Sequence, residues 1–183
     1  MRIISGKARG TKLYSLEGST TRPTLDRVKE SLFNIIQNQV PECTFLDLFS
    51  GSGAIGLEAA SRGANKTILC EKNKAAISII KKNIEKTHLE DKVKLYENSY
   101  ENLLNTINEK FDIIYIDPPY KTDFAYEATK LILKNNLLNE KGTIIIETDE
   151  EERIIKQIEK LEIEIVNRRK YGRVHLVFLE KWD

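Results

Sequence analysis

A chain of 183 residues is the size of one domain, and folding at that length buries roughly 70% of the unfolded surface, enough for a real core. Hydrophobic residues make up 40% and charged residues 31%, against a usual charged share of about 25%, which excludes a disordered chain. Net charge is +1, from 29 Lys and Arg against 28 Asp and Glu, so bulk charge selects no partner and only its distribution can.

Residues 1–22 are short alternating stretches broken by Gly6, Gly10 and Gly18, and they read as a hairpin or arm. Pro23 suits the first turn of a helix, and Val28, Leu32, Phe33, Ile35 and Ile36 recur at helical spacing to about residue 39. From residue 44 the pattern alternates strand and helix. Strands are predicted over 44–49, 66–70, 93–96, 111–116 and 143–147, and helices over 54–62, 74–86, 100–108, 124–135 and 150–160. Two closing strands, 163–169 and 174–180, meet at Tyr171-Gly172 as a hairpin. Such alternation predicts an α/β fold with a mostly parallel sheet covered on both faces. Residues 1–40 form an arm and helix, and residues 41–183 a Rossmann-like core, within one compact domain.

Cys43 and Cys70 make no CxxC and no metal spacing, which fits a reducing cytoplasm and buried spacer roles. No metal cluster is expected, and His88 and His175 stand isolated. No run of ~18 apolar residues predicts a membrane span, and the opening residues lack the apolar region of a signal peptide.

Chemistry concentrates in two motifs. In Leu46-Asp47-Leu48-Phe49-Ser50-Gly51-Ser52-Gly53-Ala54-Ile55-Gly56, the glycines 51, 53 and 56 form a GxGxxG between a strand and a helix. Such a loop lets a ligand approach the backbone closely at a helix N-terminus. Glu71 ends the next strand, 20 residues after Gly51, where a carboxylate can accept both ribose hydroxyls. A nucleoside cofactor follows, either a dinucleotide or S-adenosylmethionine. Asp47 favours the second, because a carboxylate there attracts a cationic amino group and gains a pyrophosphate nothing. Asp117-Pro118-Pro119-Tyr120 then ends the apolar fourth strand, beside strand 1, on the shared ligand rim. Prolines carry carbonyls without N–H groups. Asp117 and the Pro118 carbonyl can therefore accept both hydrogens of an aromatic amine, while Tyr120 offers a flat face for a base.

These residues resemble the amino-group nucleic-acid methyltransferases. Arg22-Pro23-Thr24-Leu25-Asp26-Arg27-Val28-Lys29-Glu30-Ser31-Leu32-Phe33-Asn34, the first glycine motif, Arg2-Ile3-Ile4-Ser5-Gly6 and Tyr171-Gly172 together resemble the RsmD family, bacterial 16S ribosomal RNA guanine-N2 methyltransferases. The resemblance covers essentially the whole chain. It implies the class I methyltransferase fold, with strand order 3-2-1-4-5-7-6 and S-adenosyl-L-methionine as cofactor. Asp47, Phe49, Ser50, Gly51, Gly53 and Glu71 would line the cofactor site, with Asn98 and Ser99 in the place of the usual adenine-binding Asp. Asp117, Pro118, Pro119 and Tyr120 would hold a flipped-out base. For residues 22–34 the resemblance leaves three roles open: closing over the cofactor, holding RNA, or packing the arm. The implied substrate is 16S rRNA, in the small ribosomal subunit or a precursor, in the cytoplasm.

Charge distribution agrees with an RNA partner. Residues 1–29 carry seven basic against two acidic side chains, and the hairpin adds Arg168, Arg169, Lys170 and Arg173. Lys7, Arg9, Lys12, Arg22, Arg168, Arg169 and Arg173 are the candidate phosphate contacts. An adenine-N6 DNA or RNA methyltransferase shares both motifs, but no segment is long enough for a separate DNA target-recognition domain. A dinucleotide oxidoreductase leaves Asp117–Tyr120 unexplained, and a non-catalytic RNA-binding protein leaves Glu71 and Asp117 without purpose.

Overall fold

Alternation along the strands sets the architecture. In the computed structural model, which describes residues 1–16 and 23–183, β1 (Thr44–Asp47) and β4 (Phe111–Ile116) send Phe45, Ile113 and Tyr115 to one face and Leu46, Ile114 and Ile116 to the other. Both faces are apolar, so both must be covered. On the first face lies the amphipathic helix α1 (Pro23–Ile36), which buries Val28, Leu32, Phe33 and Ile36 against the sheet. Fully burying each such side chain contributes ~1.5–3 kcal/mol. On this side also lie α2 (Ala54–Ser61) and α3 (Lys74–Thr87). The second face takes α4 (Tyr100–Thr106), α5 (Phe124–Lys134) and α6 (Glu151–Ile158).

The remaining strands are β2 (Lys66–Cys70), β3 (Val93–Tyr96), β5 (Leu138–Thr148), β6 (Glu164–Tyr171) and β7 (Val174–Glu180). Among the described residues the sheet has seven strands in the order β3-β2-β1-β4-β5-β7-β6. The first five pair in parallel; β7 joins β5 antiparallel and carries β6 at the edge. This is the class I methyltransferase order that the resemblance implied. Because Thr148 pairs with His175, the β6–β7 turn sits at the same rim as the ends of β1, β4 and β5.

Element boundaries depart from the sequence pattern in a few places. β1 stops at Asp47 rather than at residue 49, because the chain turns into the glycine loop, where the Ser50 N–H bonds the Cys70 carbonyl. β5 begins at Leu138, five residues earlier than the apolar run suggests. Phe111 pairs with Leu138, the register shifts, and Ile113 pairs with Thr143, so a polar stretch joins the sheet through an irregularity. α4 ends at Thr106 and α6 spans fewer residues than the pattern predicts, since the last turns of helices fray.

Among its described residues the arm holds no strands, only one antiparallel bridge between Arg2 and Lys12. It clamps onto α2: Ile4 and Ser5 donate backbone N–H groups to Glu58, and the Lys7 and Ala8 N–H groups bond Ser61. Gly6 has φ +87°, and a Cβ there would lie 1.9 Å from the Ser61 carbonyl oxygen, so both backbone shape and close approach require glycine. No helix among the described residues is long and apolar enough to cross a membrane.

Candidate functional site

The glycine loop is built by its own hydrogen bonds. The Ser50 hydroxyl donates to the Asp47 carbonyl (2.8 Å) and accepts from the Cys70 N–H (3.1 Å), tying the loop across β1 and β2. Gly51 donates its N–H to Glu71 Oε2 (2.9 Å), while Oε1 accepts from Lys72 (3.0 Å) and Asn73 (2.9 Å). Three backbone N–H groups thus fix the carboxylate expected to meet a ribose. Gly56 donates to Asp47 Oδ2 (3.0 Å), and a Cβ on it would sit 2.0 Å from Leu69 Cδ2, so the third glycine serves helix–strand contact.

Asp47 is 1% exposed, and its Oδ1 has no hydrogen-bond partner among the described residues. Burial is the main cause that raises its pKa to about 7, with the Glu71 and Glu147 charges adding and the Gly56 N–H opposing. Cys70, also lining the site, is pushed up to about 12 by burial first and Glu71 second, which makes it an inert thiol.

At the end of β4, Asp117 opens onto the cavity and Tyr120 is 74% exposed. The Thr122 hydroxyl donates to the Pro119 carbonyl (2.8 Å) and fixes the turn. Surrounding protein raises the Asp117 pKa well above the carboxylate range, and the like charges of Glu147 and Asp47 add to this. Asp117 is open to the cavity, so water tempers the burial part and the like charges persist. Beside it, the Tyr115 hydroxyl donates to Glu147 Oε2. Burial raises the Glu147 pKa, and the Tyr115 hydrogen bond opposes the shift.

These groups share one cavity of about 530 Å³, within the usual range for small-ligand sites. Asp47, Phe49, Ser50, Gly51, Glu71, Asn98 and Ser99 line it together with Asp117, Pro118, Pro119 and Tyr120. Gly53 does not line it. With φ +83° it caps α2, so its contribution is the shape of the turn. Asn98 and Ser99 also have local duties. The Asn98 amide donates to Asn102 (3.0 Å) and its oxygen accepts from the Ser99 N–H (2.9 Å), while Ser99 Oγ accepts from the Asn102 N–H and caps α4.

Several lining residues lay outside the sequence expectation. Tyr115 and Glu147 form one group; the acidic residue closing the Ile144–Ile145–Ile146 run, next to β4, was the available signal for Glu147. Tyr100 and Phe124 join Phe49 in an aromatic wall with ring centroids 5.2–6.3 Å apart. Leu25, Val28 and Lys29 bring α1 to the cavity.

The described candidate RNA residues lie outside the cavity, in two groups on the arm and on the β6–β7 hairpin. Lys7 and Arg9 are exposed at the arm tip, beside the C-terminal end of α2 and away from the rim. Lys12 is exposed opposite Arg2. Arg168 and Arg169 are exposed on edge strand β6, and Arg173 stands in the turn at the rim. Arg22 lies outside the described residues.

A family described as Conserved hypothetical protein 95 matches residues 1–180. The chain belongs to this family, the RsmD family. Its members include proteins named ribosomal RNA small subunit methyltransferase D. The one from Haemophilus influenzae is 37% identical over 158 residues, covering 85% of this chain and 82% of its own. That of Escherichia coli is 33% identical over 151 residues, covering 82% and 76%. A solved E. coli structure named as a candidate methyltransferase, yhhF, superposes with a TM-score of 0.83 at 26% identity, covering 100% of this chain and 99% of that one. The chain is thus a methyltransferase of the ribosomal RNA-modifying family.

Proposed function

We propose that this chain methylates the exocyclic N2 of a guanine in 16S ribosomal RNA, with S-adenosylmethionine as donor and a ribosomal small subunit or its precursor as substrate. One observation carries the reading: Asp117–Tyr120 open into the same cavity as Glu71 and the glycine loop. The residues present fit the cofactor. Among the described residues Asp47 Oδ1 is an unpartnered buried acceptor, and Glu71, Asp117 and Glu147 are further acids in the lining. That lining suits a cationic cofactor. A pyrophosphate would meet it with Lys29 already engaged by Glu58 and, among the described residues, only Lys72 beside the loop.

Bound S-adenosylmethionine supplies an electrophilic methyl group. The chain's own residues supply geometry. Tyr120 stacks on the base, while Asp117 and the Pro118 carbonyl accept the amine hydrogens. The amine lone pair, otherwise drawn into the ring, is thereby turned outward. Orientation of this kind can supply ~7–11 kcal/mol. The proton that the amine sheds once the methyl group has transferred can leave through the Asp117 carboxyl, whose pKa burial and then the Glu147 and Asp47 charges raise above the ordinary carboxylate value. Calorimetry with S-adenosylhomocysteine and with NAD tests the cofactor, where binding of NAD alone would overturn the reading. Mass mapping of 16S rRNA from a deletion strain tests the product, which should lack one N2-methylguanine.

A further inference from the structure

Resting on the guanine-N2 reading, we propose that Glu147 is a specificity-determining residue that accepts the ring N1–H of the target guanine through Oε1, beside the amine held by Asp117. The placement follows from the sheet. β4 and β5 pair in register through Ile116 and Ile146, so Asp117 and Glu147 follow side by side at the two strand ends, on strands ~5 Å apart. Both line the cavity.

Glu147 is held in an unusual way for an acid in such a place. Tyr115 occupies Oε2, and no cation pairs with the carboxylate among the described residues. Oε1 accepts no hydrogen bond among them. Glu147 is half-buried at the cavity wall with Tyr115 on one oxygen, so Oε1 is left to a donor that a ligand supplies. A second, independent sign of a missing partner is Asp47 Oδ1, buried and unbonded among the described residues in the same cavity.

The chemistry selects among bases. Guanine presents N1–H and the N2 amine as adjacent donors. Adenine and cytosine place a bare ring nitrogen beside their amine, and uracil has one ring N–H between two carbonyls. Two acceptor side chains standing together match the first pattern and repel the second, which gives selection by repulsion as well as attraction. Sites built to bond a substrate N–H reject analogues that lack it by far more than apolar pockets reject a missing methylene.

The test compares guanine with 2-aminopurine at the target position of a small-subunit RNA fragment. 2-Aminopurine keeps the 2-amino group but has a bare N1. Wild type should methylate guanine on the order of 10²-fold faster. Glu147→Gln keeps an oxygen for the Tyr115 hydroxyl and turns an amide N–H toward N1. Its preference should shrink to within a few-fold or invert. Because the ratio is measured within one variant, partial loss of folding cancels. An unchanged ratio, or an equal loss on both bases, overturns the proposal. A wild-type methyl group mapped to an atom other than N2 overturns the underlying reading as well, so the product map tells the two failures apart.

Discussion

The ammonium of Lys29 lies 3.0 Å from the carboxylate of Glu58, with the two side chains 1% and 0% exposed. Lys29 also donates to the Arg2 carbonyl (2.7 Å), and Glu58 accepts from Ile4, Ser5 and Arg62. One buried pair therefore ties together the arm, α2 and the helix that walls the cavity. Removing one member of a buried pair costs about 3–5 kcal/mol because the other charge is stranded. Lys29→Met should fall near the lower end, since Glu58 keeps Arg62. Replacing both residues with apolar ones is often neutral elsewhere, but here it would strand the Ile4 and Ser5 N–H groups. The double variant Lys29→Met/Glu58→Leu should therefore stay destabilised in urea unfolding. Recovery to wild-type stability would show that the arm does not depend on Glu58.

Asp47 gives the cavity a pH signature. Between the ordinary Asp value near 4 and its folded value of about 7, the folded protein holds a proton that the unfolded chain has released. Stability from this group is present below that window and is lost as pH rises through it. Asp47→Asn removes the buried charge and keeps an oxygen for the Gly56 N–H. Its melting temperature should gain on wild type as pH climbs from 4 to 7, with no further gain above about 7.5. The same variant should bind S-adenosylhomocysteine more weakly. A pH-independent difference in melting would mean that Asp47 is ionised at all these values.

The glycine motif and the β4 loop were legible because each is a local pattern: glycines at fixed offsets, and prolines that stop an apolar strand. Glu71 was legible by its distance from Gly51. Glu147 was not, because its meaning comes from register. Only the Ile116–Ile146 pairing and the Tyr115 hydroxyl across the sheet turn an acid at a strand end into part of the site. Tyr115 itself sits mid-strand in an apolar run and shows no polar pattern. Glu58 left a faint trace as the one charged residue in Ala54–Ser61, but apart from Arg62 one turn on, its partners Lys29, Ile4 and Ser5 are 29 and more residues away. The basic arm was legible as composition only. The fold decides which of its charges face the rim.

Glu71 should carry cofactor affinity by two routes, its own contact with the ribose and its hold on the loop through Gly51, Lys72 and Asn73. Each hydrogen bond to a charged group contributes ~1.5–3 kcal/mol. Glu71→Ala should raise the S-adenosylhomocysteine dissociation constant by at least about tenfold in calorimetry. Glu71→Gln, which keeps acceptor oxygen but no charge, should lie between. A constant that does not move in either variant removes Glu71 from the site.

Arm and hairpin should respond differently to substrate size. Lys7 and Arg9 lie at the far end of α2, ~12 Å along that helix from the rim, whereas Arg173 stands at the rim. Neutralising Arg168, Arg169 and Arg173 should weaken binding of a short target hairpin and lower its salt slope by roughly one for each phosphate no longer neutralised. Neutralising Lys7, Arg9 and Lys12 should matter only for a longer RNA or an assembled subunit. Equal effects of the arm on both substrates would place the short RNA over α2.

Asp117 separates orientation from proton transfer. Asp117→Ala leaves the amine unheld on one side, and by analogy with losing one transition-state hydrogen bond the rate should fall ~10²–10³-fold, or ~2.7–4 kcal/mol. Asp117→Asn keeps an acceptor oxygen and loses the charge. If the carboxyl mainly orients the amine, Asn should retain clearly more activity than Ala; if it must take the proton, the two should be equally slow. The charges also matter for Glu147. With Asp117 neutralised, the like-charge repulsion between the neighbours disappears, so the remaining acid should ionise more readily. The rate of Asp117→Asn should therefore rise to its plateau at lower pH than that of wild type. Both variants should bind S-adenosylhomocysteine. Full activity in both, with an unshifted pH profile, would reduce Asp117 to a turn residue.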